Sequence, residues 1–338
     1  MQARTFKSLV PRPIRSPLRH VLRACEAPFY YRRAKQILTD YTDHYQQAQR
    51  VFREEGNEAP LAIASLTTLG VRVVSPDASD NLISLPENYF SLVERLSESA
   101  GEYLAATSHC SFFPALPPGS VEKRTEDLPA IKDGAVIAMQ LKNPLTLEGL
   151  EDLCGPVMRE VEQKIYRSYA LVDKVYVYRN PVSHQAPQGS WLWHYDNHPY
   201  EILKIMIYLT DVNDQSAPFD YLRHPDSMKA VPGLPLTPLY GESRVTKEAM
   251  ERYFAEGFVP QQVTGPKGTM IVFDNNMIHR STLAVQTHRD VLILQVRPAT
   301  GKYRPYVDAR WTGSFQHAPF NRDPGYIKTT TQRLRHFS

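Results

Sequence analysis

Cysteine is scarce in this chain: there are three in 338 residues, Cys25, Cys110 and Cys154, odd in number and far apart. That pattern indicates neither a disulfide framework nor a cysteine zinc site, and a reducing, cytoplasmic setting is the default. Long apolar runs are missing too, so neither a signal-peptide core nor a transmembrane segment is expected. Charge of one sign is also lacking: 39 Lys and Arg against 36 Asp and Glu leave a formal net charge of +3, too little to argue for nucleic acid. No internal repeat, low-complexity tract or phosphate-cradling glycine loop is present.

What remains is the composition of a globular protein, 42% hydrophobic and 22% charged. The basic charge is concentrated at the start. Residues 1–28 form a basic N-terminal arm in which Arg4, Lys7, Arg12, Arg15, Arg19 and Arg23 precede the first acid, Glu26. Such an arm suits peripheral contact with an anionic lipid surface or an acidic partner. A solvated terminus is the plainer expectation, and Pro11, Pro13 and Pro17 spoil the amphipathic helix of an organellar presequence. The simplest organisation is one catalytic domain over 29–300, with its core at about 130–298, and an aromatic, basic tail over 301–338.

The chemistry gathers around Trp191-Leu192-Trp193-His194-Tyr195-Asp196-Asn197-His198. Side chains two apart on an extended backbone point the same way, so His194 and Asp196 can address one ion. A third ligand is offered by His279, at the exit of a short apolar strand, Gly268 to Phe273, closed by Asp274-Asn275-Asn276. Two His and one carboxylate with open positions is the ligand set of non-haem Fe(II) oxygenases. His-x-Asp recurs at His224/Asp226 and His288/Asp290, so spacing alone does not choose. His224-Pro225-Asp226 falls in a proline loop. Arg289, between the third pair, opens another apolar strand, from which its planar fork suits the far carboxylate of a small dicarboxylate.

Trp193-His194-x-Asp196, the strand Leu203-Lys204 to Tyr208-Leu209-Thr210-Asp211-Val212, then Gly268-Thr269, Phe273-Asp274, His279-Arg280-Ser281 and Arg289 together resemble the phytanoyl-CoA dioxygenase-like branch of the Fe(II)/2-oxoglutarate oxygenases. The resemblance spans roughly 172–298. It implies that His194, Asp196 and His279 hold iron, that Arg289 holds the distal carboxylate of 2-oxoglutarate, and that the Ser281 hydroxyl assists it. It also implies a double-stranded β-helix, the jelly-roll core of cupins, with O2 as the oxidant and succinate and CO2 as coproducts. Related halogenases leave the position of Asp196 small for chloride, so its carboxylate favours hydroxylation over chlorination. The family's Gly-Ser-His motif is replaced by Phe219-Asp220-Tyr221-Leu222-Arg223-His224-Pro225, which sets the local substrate loop apart.

The fold class expected is therefore mainly β with flanking helices (α+β), the N-terminal helices packing outside the jelly roll. Helical patterns cover 29–55, 58–70 and 86–106, and another begins at Leu147, breaks at Gly155-Pro156 and restarts at Val157. Lys174 to Asn180 alternates cleanly, and its Tyr176, Tyr178 and Asn180 face either touches 2-oxoglutarate and substrate or is turned outward. In the strand 202–209 either Lys204, Met206 and Tyr208 or Leu203, Ile205 and Ile207 face inward, and a buried Lys204 would need a carboxylate, which the cosubstrate can supply. Residues 218–241 read as a proline-rich lid loop, and Thr246 as the cap of a short helix. His198 reads as a second layer around the metal, a substrate contact or an exposed side chain.

A small or lipid-like molecule is the expected substrate. Two other classes compete, a zinc-dependent hydrolase and a non-enzymatic cupin-like binding protein. The first gives Arg289 and Ser281 no role, and the second gives the ligand set none.

Overall fold

The structure, a computed structural model, describes residues 38–57, 69–74, 82–114, 136–196, 198–199, 201–225 and 244–310, with Arg32, Lys35 and Gln36. The basic arm, most of the 58–70 helix, residues 226–241 of the expected lid and the tail beyond 310 lie outside the described residues. No described helix is long and apolar enough to cross a membrane.

Among the described residues ten strands form two antiparallel sheets. The larger contains β1 (Val71–Val74), β2 (Cys110–Pro114), β3 (Val136–Leu141), β4 (Tyr169–Asn180), β5 (Leu203–Tyr208), β8 (Met270–Asp274) and β10 (Arg289–Ala299) in the order β1-β8-β5-β10-β4-β3-β2. The smaller is β7-β6-β9, from β6 (Phe219–Arg223), β7 (Val259–Val263) and β9 (His279–Ser281). From β4 onward the chain passes back and forth between the sheets, with β6 and β7 as a pair in the smaller one. It leaves β4 for the segment around His194, which bridges β9, returns to β5, crosses to β6 and β7, and then visits β8, β9 and β10 in turn. This is the double-stranded β-helix order.

The alternation of β5 is thereby settled. Leu203, Ile205 and Ile207 belong to the core that the large sheet shares with the helices, while Met206 and Tyr208 join Phe219, Phe273, Val291 and Ile293 between the sheets. Lys204 shares that inner parity. Tyr176 and Tyr178 likewise pack toward the inside, not outward.

The helices cover the other face. α2 (Tyr89–Ala105) buries Tyr89, Leu92, Val93, Leu96, Ala100 and Leu104 at helical spacing, and the Tyr89 hydroxyl donates to the Gly268 carbonyl at 2.8 Å. α1 (38–54) lays Tyr41 and Phe52 into the protein. Gly70, at φ 61°, ends the turn that carries Leu69.

Two expectations are corrected here. α3 (Leu150–Glu160) runs straight through Gly155-Pro156 and continues as a π turn over Val161–Tyr166. A proline inside a helix costs about 3 kcal/mol. Leu153, Cys154, Val157 and Met158 around it are all fully buried, at about 1.5–3 kcal/mol for each large apolar side chain, so burial wins. The stretch from residue 218 is also not all loop, because its first part is β6, hydrogen-bonded to both β7 and β9. α4 (Lys247–Ala255) starts as expected, with Thr246 Oγ1 accepting from the Ala249 N–H at 3.2 Å.

Candidate metal and cosubstrate site

His194 does not lie in a regular strand, contrary to the expectation. It is a single bridged residue whose N–H donates to the His279 carbonyl at 2.9 Å and whose carbonyl receives the His279 N–H at 2.8 Å. Two residues on, the Asp196 N–H donates to the Asn275 carbonyl at 2.9 Å. The Asn276 side chain then clamps His198 from both sides, donating from Nδ2 to its carbonyl at 2.6 Å and accepting its N–H at 3.1 Å. The backbone of His198 is the part so held. Its segment is held by the turn after β8 instead of by a ladder, which is how an irregular stretch stays fixed.

These contacts bring His194, Asp196 and His279 together, with one ligand atom from each lying within 4.8 Å of the others. They are the one such group of three among the described residues. His279 Nε2 and Asp196 Oδ2 are 3.8 Å apart. Ligands at about 2.0–2.2 Å from a shared ion stand about 3 Å apart, so a small inward movement completes a metal site. Each imidazole is already in the tautomer that ligation needs. His194 Nδ1 meets the Leu192 carbonyl at 2.8 Å and His279 Nδ1 meets the Met277 carbonyl at 2.7 Å, which makes each Nδ1 the donor and leaves each Nε2 lone pair open.

The electrostatics agree. Burial holds the His194 imidazole well below its ordinary range, with His279 and Arg244 adding to the effect. Burial likewise lowers His279, against the pull of Asp196. Both are thus neutral ligands. Burial alone would raise the Asp196 carboxyl, but the Lys204 ammonium beside it is the largest influence holding it well below the usual carboxylate range. Lys204 Nζ lies 2.5 Å from Asp196 Oδ2, so the carboxylate that half-buried Lys204 meets is Asp196.

Arg289, at the start of β10, reaches into the same interior and is 3% exposed. Its Nη2 donates to Asn180 Oδ1 and to Ser281 Oγ, both at 2.9 Å, and its guanidinium lies 5.9 Å from the Tyr208 ring centre. Nε and Nη1 are buried without a partner. The acids nearby are committed elsewhere, Asp290 to Arg179 through two bonds at 2.7 and 2.8 Å and Asp220 to Arg280 at 2.9 Å. Burying an ion costs several kcal/mol, and two neutral acceptors at about 1.5–3 kcal/mol each do not restore it while half the fork is empty. Burial accordingly lowers the guanidinium below its usual value, opposed by Tyr208, and a guanidinium does not give up its proton in proteins.

The triad and Arg289 share one cavity of about 200 Å3, which Tyr178, Asn180, Lys204 and Ser281 also line. Its walls are apolar where Phe219 and Phe273 stand against His279, each with ring centres 5.4 Å from the imidazole. The two other His-x-Asp pairs go elsewhere: His288 lies 3.7 Å from the Arg179-bound Asp290, and His224 meets the Phe258 ring edge-on. Sequence reading did not anticipate the parts taken by Asn275 and Asn276, or by Phe219 as a wall. The Asp274-Asn275-Asn276 run was visible only as a polar turn, with no sign of what it would grip.

No family model matches the chain, and no curated protein does. Solved structures are similar to it. The epimerase SnoN in complex with Fe3+, alpha-ketoglutarate and nogalamycin RO is 13% identical over 72% of this chain and 86% of that one, with a TM-score of 0.47. The non-heme alpha-ketoglutarate-dependent carbocyclase SnoK from nogalamycin biosynthesis is 13% identical over 75% and 91%, with a TM-score of 0.45. EctD from S. alaskensis with 2-oxoglutarate and 5-hydroxyectoine is 15% identical over 76% and 87%, with a TM-score of 0.42.

Proposed function

We propose that this chain is a non-haem Fe(II)/2-oxoglutarate-dependent oxygenase that hydroxylates an aliphatic carbon of a small or lipid-like molecule. The observation that carries the reading is Arg289, a buried cation with no anion, facing the same cavity as a His-Asp-His triad. A dianionic cosubstrate supplies the missing charge, its distal carboxylate accepting from the unpartnered Nη1–H or Nε–H groups. Asn180 and Ser281 hold the fork in place through Nη2.

His194, Asp196 and His279 are the residues that would hold the iron. When bound, iron and 2-oxoglutarate couple oxidative decarboxylation of the oxo acid to oxidation of a C–H bond, yielding succinate and CO2. The protein's own share is positional. The two backbone carbonyls fix the imidazole tautomers, the Asn275–Asn276 turn fixes Asp196, and Phe219 and Phe273 keep water from His279. A hydrolytic zinc site would use the same three ligands but has no need of an uncompensated arginine.

The test is release of CO2 from carboxyl-labelled 2-oxoglutarate by purified protein with Fe(II) in air, beside Asp196→Ala and Arg289→Met. Iron-dependent release in the wild type and its loss in both variants supports the proposal. Hydrolysis of ester probes by zinc-loaded protein, with no CO2 release under iron, would overturn it.

A further inference from the structure

We propose that the substrate carries a carboxylate, and that Lys204 receives it. The inference rests on the oxygenase reading above and extends it to the class of molecule oxidised.

Lys204 Nζ has one partner among the described residues, Asp196. An ammonium has three donors, and that one partner is also a member of the metal triad. A bound divalent ion competes for the same carboxylate and weakens its hold on Lys204. Charge bookkeeping in the loaded cavity then leaves a remainder. The two charges of the metal and the two of 2-oxoglutarate cancel, the imidazoles are neutral, and Asp196 offsets one of the two cations Lys204 and Arg289. One positive charge is unmatched, and with Arg289 taken by the cosubstrate it resides on Lys204.

Its surroundings offer no replacement. Across the large sheet the row through Lys204 reads Phe273, Lys204, Gln295, Lys174, with no acid and a second cation. The Gln295 amide is turned away to Asp173 at 2.8 Å, and Asp173 also faces Arg297 at 4.0 Å. Arg289 and Gln295 are six residues apart on β10, so the Arg289 and Lys204 rows are separated by roughly 20 Å of strand and the two cations approach the cavity from opposite ends. Met206, Phe273 and Ile293 line the cavity around Lys204. The site therefore suits a small acid with an apolar body, its carboxylate at Lys204 and a carbon of that body toward the triad.

The experiment uses the wild type, Lys204→Met and Lys204→Arg, loaded anaerobically with Fe(II) and 2-oxoglutarate, whose chelate gives a weak visible band. Aliphatic and aryl carboxylates, each paired with its primary amide, are titrated by perturbation of that band and by calorimetry. The expected result is that at least one acid binds wild type about tenfold or more tighter than its amide, as loss of a charged hydrogen bond predicts. Lys204→Met abolishes that preference and Lys204→Arg restores much of it. Equal binding of every acid and its amide would overturn the inference, as would a Lys204→Met protein that keeps the wild-type preference for the acid. A wild type that binds iron yet shows no band overturns the oxygenase reading itself, a separate outcome.

Discussion

Asn180, the last residue of β4, stands opposite Arg289, the first of β10, and its Oδ1 accepts from Arg289 Nη2 at 2.9 Å. The pair sits where two long strands meet, so the guanidinium is aimed by the sheet and not by a loop. Of the fork, only Nη2 has partners among the described residues.

Replacing Arg289 by methionine therefore separates stability from function. A buried, unpaired charge is a cost to the fold, and an apolar side chain of similar size relieves it. We expect Arg289→Met to melt, metal-free, no lower than wild type, while its affinity for 2-oxoglutarate falls by about 100-fold, the loss of charged hydrogen bonds. Calorimetry and anaerobic titration measure the two. A lower melting temperature with cosubstrate binding intact would reverse the assignment.

Asn276 makes the opposite case, a residue serving fold and site together. Its amide satisfies both backbone groups of His198, and leaving those groups unpaired costs about 1–3 kcal/mol each. Asn276→Ala should lose about 2–4 kcal/mol of stability and bind Co(II), a spectroscopic stand-in for iron, at least about tenfold more weakly, because Asp196 lies on the loosened segment. Denaturant unfolding and the Co(II) absorption test both; unchanged metal affinity would show that the clamp serves the fold alone.

How much of this was legible beforehand follows from how each feature is encoded. The β5 and β8 strands and the Thr246 cap are local patterns, and the sequence carries them openly. So is the alternation of β4, but which face of β4 or of β5 is inner depends on where the helices pack, and no local pattern records that. His194 sits in a segment with almost no ladder, held by residues some eighty positions away, so its extended spacing was readable while its true support was not. Pro156 misled because the breaking rule is local and the burial that overrides it is tertiary. Lys204 had a readable need for an anion, but Asp196 as its partner required the fold.

Asp274 gives a pH test. Burial raises its carboxyl from 3.8 to about 7, against the Asn276 N–H that it accepts at 2.8 Å and with Glu201 and Asp196 adding to the rise. A carboxyl raised on folding binds its proton more tightly in the folded state. Its contribution therefore falls as pH rises from about 4 to about 7 and is level above, a total of about 4 kcal/mol. His194 and His279, lowered on folding, act in the opposite sense, so the comparison is between two proteins without metal. Asp274→Asn keeps an acceptor for the Asn276 N–H and loses the titration. Its stability should gain on wild type progressively across that window, by urea unfolding at a series of pH values, and parallel profiles would contradict the placement of this carboxyl.

The most direct measurement is anaerobic titration of the metal-free protein with Fe(II) and then 2-oxoglutarate, recorded in the visible, beside Asp196→Ala. A weak charge-transfer band that saturates with the cosubstrate in wild type and is absent from Asp196→Ala is the predicted result. Iron bound by the wild type with no band at any 2-oxoglutarate concentration would contradict the account.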